Sequence, residues 1–118
     1  SAHALSYPLT LFHNIPHGYA CGLSLGAMFK YNHSKNAVVL DEVLAIFREK
    51  YGDLKSTFEE CFQRFLADCK IPSRLRSFGV KETDISQLVA NAFSPERFNN
   101  MIYTLSKDEV KNIYEIIL

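Results

Sequence analysis

His3-Ala4-Leu5-Ser6-Tyr7-Pro8-Leu9-Thr10-Leu11-Phe12-His13-Asn14-Ile15-Pro16-His17-Gly18 has the pattern of a helix, a turn and the start of a second helix. Apolar residues recur at helical spacing as far as Phe12, which predicts a first helix over residues 2–12. Pro8 lacks a backbone donor and is expected to kink that helix or mark its irregular end. His13-Asn14-Ile15-Pro16 reads as a turn, because the residue before a proline is driven away from helical geometry. A second helix follows from about His17 to Tyr31, ending near Asn32 and His33. Two successive helices joined this way can aim His3 and His17 at one point, a geometry that suits a metal ion.

Outward from this stretch, helical periodicity continues and no run shows sustained strand alternation, so the fold class is all-α, a multi-helix bundle. A third helix is expected over about 36–50, with Val39, Val43, Leu44, Ile46 and Phe47 as its apolar stripe and Tyr51-Gly52 as its end. Ser56-Thr57-Phe58-Glu59 reads as a capping box for a fourth, about 57–69, whose inner face is Phe58, Cys61, Phe62 and Phe65. Leu75 and Phe78 should anchor the connecting segment in the core. Thr83 or Asp84 caps a helix through about Phe93, and Ser106 to Glu109 forms a capping box for a terminal helix over 107–117. Residues 94–104 read as mostly turn, with a short helical piece at 95–99.

The 118 residues fit one α-helical domain by length. Thirteen basic residues balance thirteen acidic ones, which removes the broad field that draws a chain to nucleic acid or anionic lipid. No stretch reaches the length of a membrane span, and the N-terminus lacks the basic region of a signal peptide. Three cysteines, at 21, 61 and 69, are an odd number without a Cys-x-x-Cys pair, which argues for reduced thiols and a cytoplasmic compartment. The sequence opens inside an amphipathic helix without a start signal, as a piece of a longer protein would.

Gly18, Gly22 and Gly26 lie on one stripe of the second helix, and each disfavours the helix by roughly 1 kcal/mol relative to alanine. Either a neighbouring helix approaches closely there, or the bare face makes room for a cofactor or substrate. His13 and His17 are four apart, but Pro16 keeps them from sharing a helix face. His3 and Tyr7 do share one. His33, at a helix C-terminus, suits the local dipole.

His3 and His17 are fourteen apart, and His17 stands in Asn14-Ile15-Pro16-His17-Gly18. Together with Tyr7-Pro8-Leu9, the run Leu75-Arg76-Ser77-Phe78-Gly79-Val80 and Asp84-Ile85, this resembles the C-terminal region of the iron-containing (group III) alcohol dehydrogenases. Those enzymes carry a His, thirteen residues, Pro-His-Gly signature. The resemblance covers essentially the whole chain and implies the helical C-terminal domain of the dehydroquinate synthase-like fold, with an N-terminal dinucleotide-binding domain absent from these residues. It implies an NAD(P)-linked oxidoreductase interconverting small alcohols and aldehydes. The divalent metal, Fe2+ or Zn2+, would be held by His3 and His17 and by an Asp and a His from preceding sequence.

Two ligands are too few for a catalytic site, so the chain alone should be inactive. Many family members carry a histidine four residues after the first ligand, where this chain has Tyr7. The resemblance makes Tyr7 the candidate catalytic residue, although phenols ionise only at about pH 10 and shuttle protons less readily. The pattern His3-Ala4-Leu5-Ser6-Tyr7-Pro8-Leu9 is similar to a subgroup assigned to phosphonoacetaldehyde reduction. No Gly-x-Gly-x-x-Gly occurs, so the NAD(P) phosphates would be gripped by the missing domain, the chain's main partner. Loss of that domain should leave an apolar face bearing His3 and His17, through which copies of the chain could form a homo-oligomer. A freestanding helical protein-interaction domain without catalysis is the alternative.

Overall fold

Helix-forming periodicity dominates the computed structural model, which describes residues 2–34, 36–93 and 104–118. Among the described residues, six α-helices run in the order α1 (Ala2–His13), α2 (His17–His33), α3 (Ala37–Tyr51), α4 (Phe58–Asp68), α5 (Ile85–Ala92) and α6 (Lys107–Ile117), with 3-10 turns at Leu75–Phe78 and Glu82–Asp84. No strand occurs among the described residues. The helical piece expected at 95–99 lies outside them.

The core lies where α1, α2, α5 and α6 meet. Leu5 and Leu9 of α1, Leu23 and Ala27 of α2, Leu88 of α5 and Ile113 and Tyr114 of α6 are all buried in it. Burial of a leucine or isoleucine side chain contributes about 1.5–3 kcal/mol, so these faces hold α1 and α2 together. Tyr114, fully buried, donates its hydroxyl to the Leu5 carbonyl at 2.7 Å and ties α6 to α1. Desolvation pushes its ionisation well above the ordinary tyrosine range. Leu75 inserts fully and Phe78 packs against the same core, as their positions predict.

α3 and α4 form an aromatic layer on the flank of α2. Phe58 stacks on Phe29 with centroids 3.9 Å apart, and Phe47 meets Phe58, Phe62 and Phe65. The apolar stripe expected on α3 is covered only in part: Val43, Leu44 and Phe47 are half-buried, while Val39 and Ile46 are exposed and no residue of α3 is fully covered. The reason is packing, since among the described residues α3 meets chiefly α4 and part of α2.

The expected capping box at Ser56 is also corrected. Thr57 is the N-cap, accepting from the Glu60 amide at 3.2 Å, while Glu60 accepts from the Thr57 amide at 2.8 Å. Ser56 is drawn into the preceding turn, where its amide donates to Asp53 Oδ1 and its carbonyl accepts from Arg48 Nε. Asp84, one of two caps considered for α5, makes no side-chain cap there and instead accepts from the Lys81 amide. The box at Ser106 and Glu109 forms as expected.

α1 does not end at Pro8 but continues to His13. Its stop comes at Asn14, whose φ of 53° lies in the left-handed region that asparagine tolerates better than most residues. Ile15 is then fully buried, with its amide returning to the Leu9 carbonyl at 3.4 Å. That turn lays the start of α2 back along α1.

Candidate metal centre

Because α1 and α2 pack side by side after the Asn14 turn, the first turn of α2 faces the first turn of α1. The His3 and His17 rings meet edge to face, with centroids 4.9 Å apart at 82°. Tyr7, one turn along α1 from His3, brings its ring centroid to 6.1 Å from that of His3. Both histidines and Tyr7 are exposed. The three residues singled out in the sequence therefore share one surface.

Ser6, fully buried, orders this surface. Its hydroxyl donates to the His3 carbonyl at 2.8 Å, and its Oγ lies 3.3 Å from His17 Nδ1. A hydroxyl has one proton, already given to the carbonyl, so Nδ1–H of His17 is the donor in the second contact. Nε2 is then the ring atom with a free lone pair, which is how an outer partner fixes a metal-binding imidazole.

Nε2 of His17 lies 3.6 Å from Cys21 Sγ, one turn further along α2. One ligand atom each from His3, His17 and Cys21 fall within 4.8 Å of one another. In the sequence Cys21 reads as a reduced thiol, and the spacing His17-x3-Cys21 is the signal that places it on the same helix face as His17. Ser6 had no such signal, because its contact with His17 depends on how the two helices meet. All three cysteines are free thiols.

A groove of about 330 Å³ opens beside these groups, lined by Tyr7, Thr10, Leu11 and His17. Thr10 Oγ1 is buried without a hydrogen-bond partner among the described residues. A buried hydroxyl left unpaired disfavours the fold by about 1–3 kcal/mol. The two imidazoles beside the groove fit a divalent ion with a small substrate next to it.

The glycine stripe divides. A Cβ at Gly26 would lie 3.5–3.6 Å from Phe62 and Glu59 of α4, in ordinary contact, so α4 packs against this position and leaves room for a methyl group but not for a long side chain. Nothing stands within 4 Å of a Cβ at Gly18 or Gly22, and the packing explanation does not extend to them. His13 turns elsewhere, with Nε2 4.0 Å from Asp84 Oδ2. His33 is not simply a helix-end cation: it stacks on Phe29, and its Nε2 lies 2.6 Å from Asp41 Oδ1 of α3.

Residues 1–118 match the C-terminal part of the Fe-containing alcohol dehydrogenase family. The phosphonoacetaldehyde reductase of Streptomyces viridochromogenes is 56% identical over 34 residues, 29% of this chain and 9% of that protein. The sulfoacetaldehyde reductase of Bilophila wadsworthia is 29% identical over 96% of this chain and 31% of its own length. Among solved structures, the sulfoacetaldehyde reductase of Bifidobacterium kashiwanohense in complex with NAD+ superposes with a TM-score of 0.70 at 28% identity, covering 99% of this chain and 30% of that one. The chain thus spans at most about a third of the length of these relatives.

Proposed function

Since the chain belongs to the Fe-containing alcohol dehydrogenase family, whose members are alcohol and aldehyde oxidoreductases, we propose that it is the helical metal-binding domain of an NAD(P)-linked aldehyde reductase. The convergence of His3 and His17 beside Tyr7 carries this reading. His3 and His17 would hold an Fe2+ or Zn2+ ion together with ligands from preceding sequence, and Ser6 keeps His17 in the tautomer that offers Nε2. Such an ion, when bound, acts as a Lewis acid toward a carbonyl oxygen while the nicotinamide supplies or accepts hydride.

The remaining work falls to this chain's side chains. Tyr7, half exposed on the groove, would hold the substrate oxygen and hand it a proton during reduction. The bare backbone at Gly18 and Gly22 leaves room for the nicotinamide end of the cofactor. Small anionic aldehydes are the favoured substrates, in line with the phosphonoacetaldehyde and sulfoacetaldehyde reductases it resembles.

The partner is an upstream dinucleotide-binding domain, and the chain alone is inactive. No described helix is long and apolar enough to cross a membrane, and a cytoplasmic location is part of the proposal. The test is reduction of phosphonoacetaldehyde and sulfoacetaldehyde by the full-length protein with NADH or NADPH. Turnover that falls about 10²-fold in Tyr7→Phe supports the reading. Turnover of neither aldehyde, or an unaltered Tyr7→Phe rate, contradicts it.

A further inference from the structure

We propose that the exposed face of α3 docks against the same face of a second copy of this chain, the two helices running antiparallel about a two-fold axis at Ile46. This contact is separate from the metal centre. One side of α3 turns inward, where Phe47 meets Phe58, Phe62 and Phe65 and Tyr51 meets Phe65. The opposite side carries Val39 with Val38 and Ile46, the last two 76% and 66% exposed, and Leu54, just past the helix end, is 88% exposed. Single apolar side chains on a surface are ordinary, whereas several together on one element mark an interface.

The charges identify the occupant. Val38, Glu42, Ile46, Lys50 and Leu54 follow one another at intervals of four, a row that reads apolar, acidic, apolar, basic, apolar. Residues four apart on a helix are neighbours, so the first four form one ridge of α3. Leu54 stands with Ala45 and Glu49 around a groove of about 480 Å³ at the end of that ridge. Reversed, the row is its own complement. Turned about Ile46, Glu42 faces the partner's Lys50, Lys50 faces the partner's Glu42, and Val38 approaches the groove beside the partner's Leu54. An antiparallel register that pairs Val39 with the partner's Ile46 instead brings two Glu42 carboxylates together, and a parallel pair sets them level, both repulsive. An upstream domain would join the chain at α1, with which α3 makes no substantial contact among the described residues. The 15 residues of α3 extend about 22 Å, and one such face covers less than the roughly 800 Å² per partner of a stable interface. The association is therefore weak and concentration-dependent.

Sedimentation equilibrium of the full-length protein over micromolar concentrations tests this. The wild type should double its mass as concentration rises, and Ile46→Glu should abolish the doubling. Glu42→Lys and Lys50→Glu should each weaken it roughly tenfold or more, and the variant carrying both changes should recover it. All three positions are exposed, so circular dichroism should stay unchanged. Oxidised Ile46→Cys should link two copies covalently where the wild type does not. Absence of doubling in the wild type, doubling that survives Ile46→Glu, or single charge reversals that the double variant fails to repair overturns the proposal. Impaired activity in Ile46→Glu at unchanged mass overturns it too, and assigns the face to the upstream domain.

Discussion

Ser6 shows how much one buried hydroxyl settles. With its proton committed to the His3 carbonyl, it accepts from His17 and leaves Nε2 as the basic atom. Ser6→Ala is therefore expected to lower metal affinity of the full-length protein by roughly 10–100-fold while circular dichroism stays unchanged; an affinity equal to wild type would remove Ser6 from the site. In the turn before α4, Asp53 gives a pH signature. The amide of Lys55, joined by the amide and hydroxyl of Ser56, holds its carboxyl below the ordinary range. A lowered carboxyl stabilises the fold above its unfolded value, and that contribution disappears as pH falls through the lowered one. Thermal melts in acid should converge for wild type and Asp53→Asn while differing at neutral pH, and a constant difference would contradict this. Of these residues, only the histidines and Tyr7 were legible from sequence, because spacing reveals shared helix faces and not the angle at which two helices meet.

Helix ends and faces repeat that lesson. The motif Ser/Thr-x-x-Glu fits both Ser56-Glu59 and Thr57-Glu60, and sequence offers no way to choose between them. The choice is made by Asp53 and Arg48, which engage Ser56 in the turn. Thr57→Ala should accordingly destabilise the domain by about 1 kcal/mol, read by urea unfolding; no change would deny it the cap. On α2, Gly26→Leu drives a side chain into Phe62 and Glu59 and should reduce stability by about 1–3 kcal/mol. Gly22→Ala meets open space and should preserve or raise stability by up to about 1 kcal/mol while impairing cofactor use in the full-length enzyme. Equal destabilisation by both would return the whole stripe to helix packing. On α3, periodicity predicted a buried stripe, yet Val39 and Ile46 remain exposed while Val43, Leu44 and Phe47 are half-buried. Periodicity locates an apolar face without saying what covers it.

Across the whole molecule, the core joins α1, α2, α5 and α6 and leaves the histidine surface open. The apolar side chains Tyr7, Leu11, Phe12, Tyr19 and Leu25 are also substantially exposed along α1 and α2. The all-α class was readable throughout because helical spacing and capping boxes agree over most of the chain, which is the consistency expected of a foldable sequence. The candidate site was readable only in part, since Cys21 and Ser6 join it through tertiary packing. If His3 and His17 bind a divalent ion as part of a larger site, metal analysis of the purified full-length protein will find stoichiometric iron or zinc in the wild type and its loss in His3→Ala and in His17→Ala with folding preserved; folded variants that retain the ion would rule these histidines out as ligands.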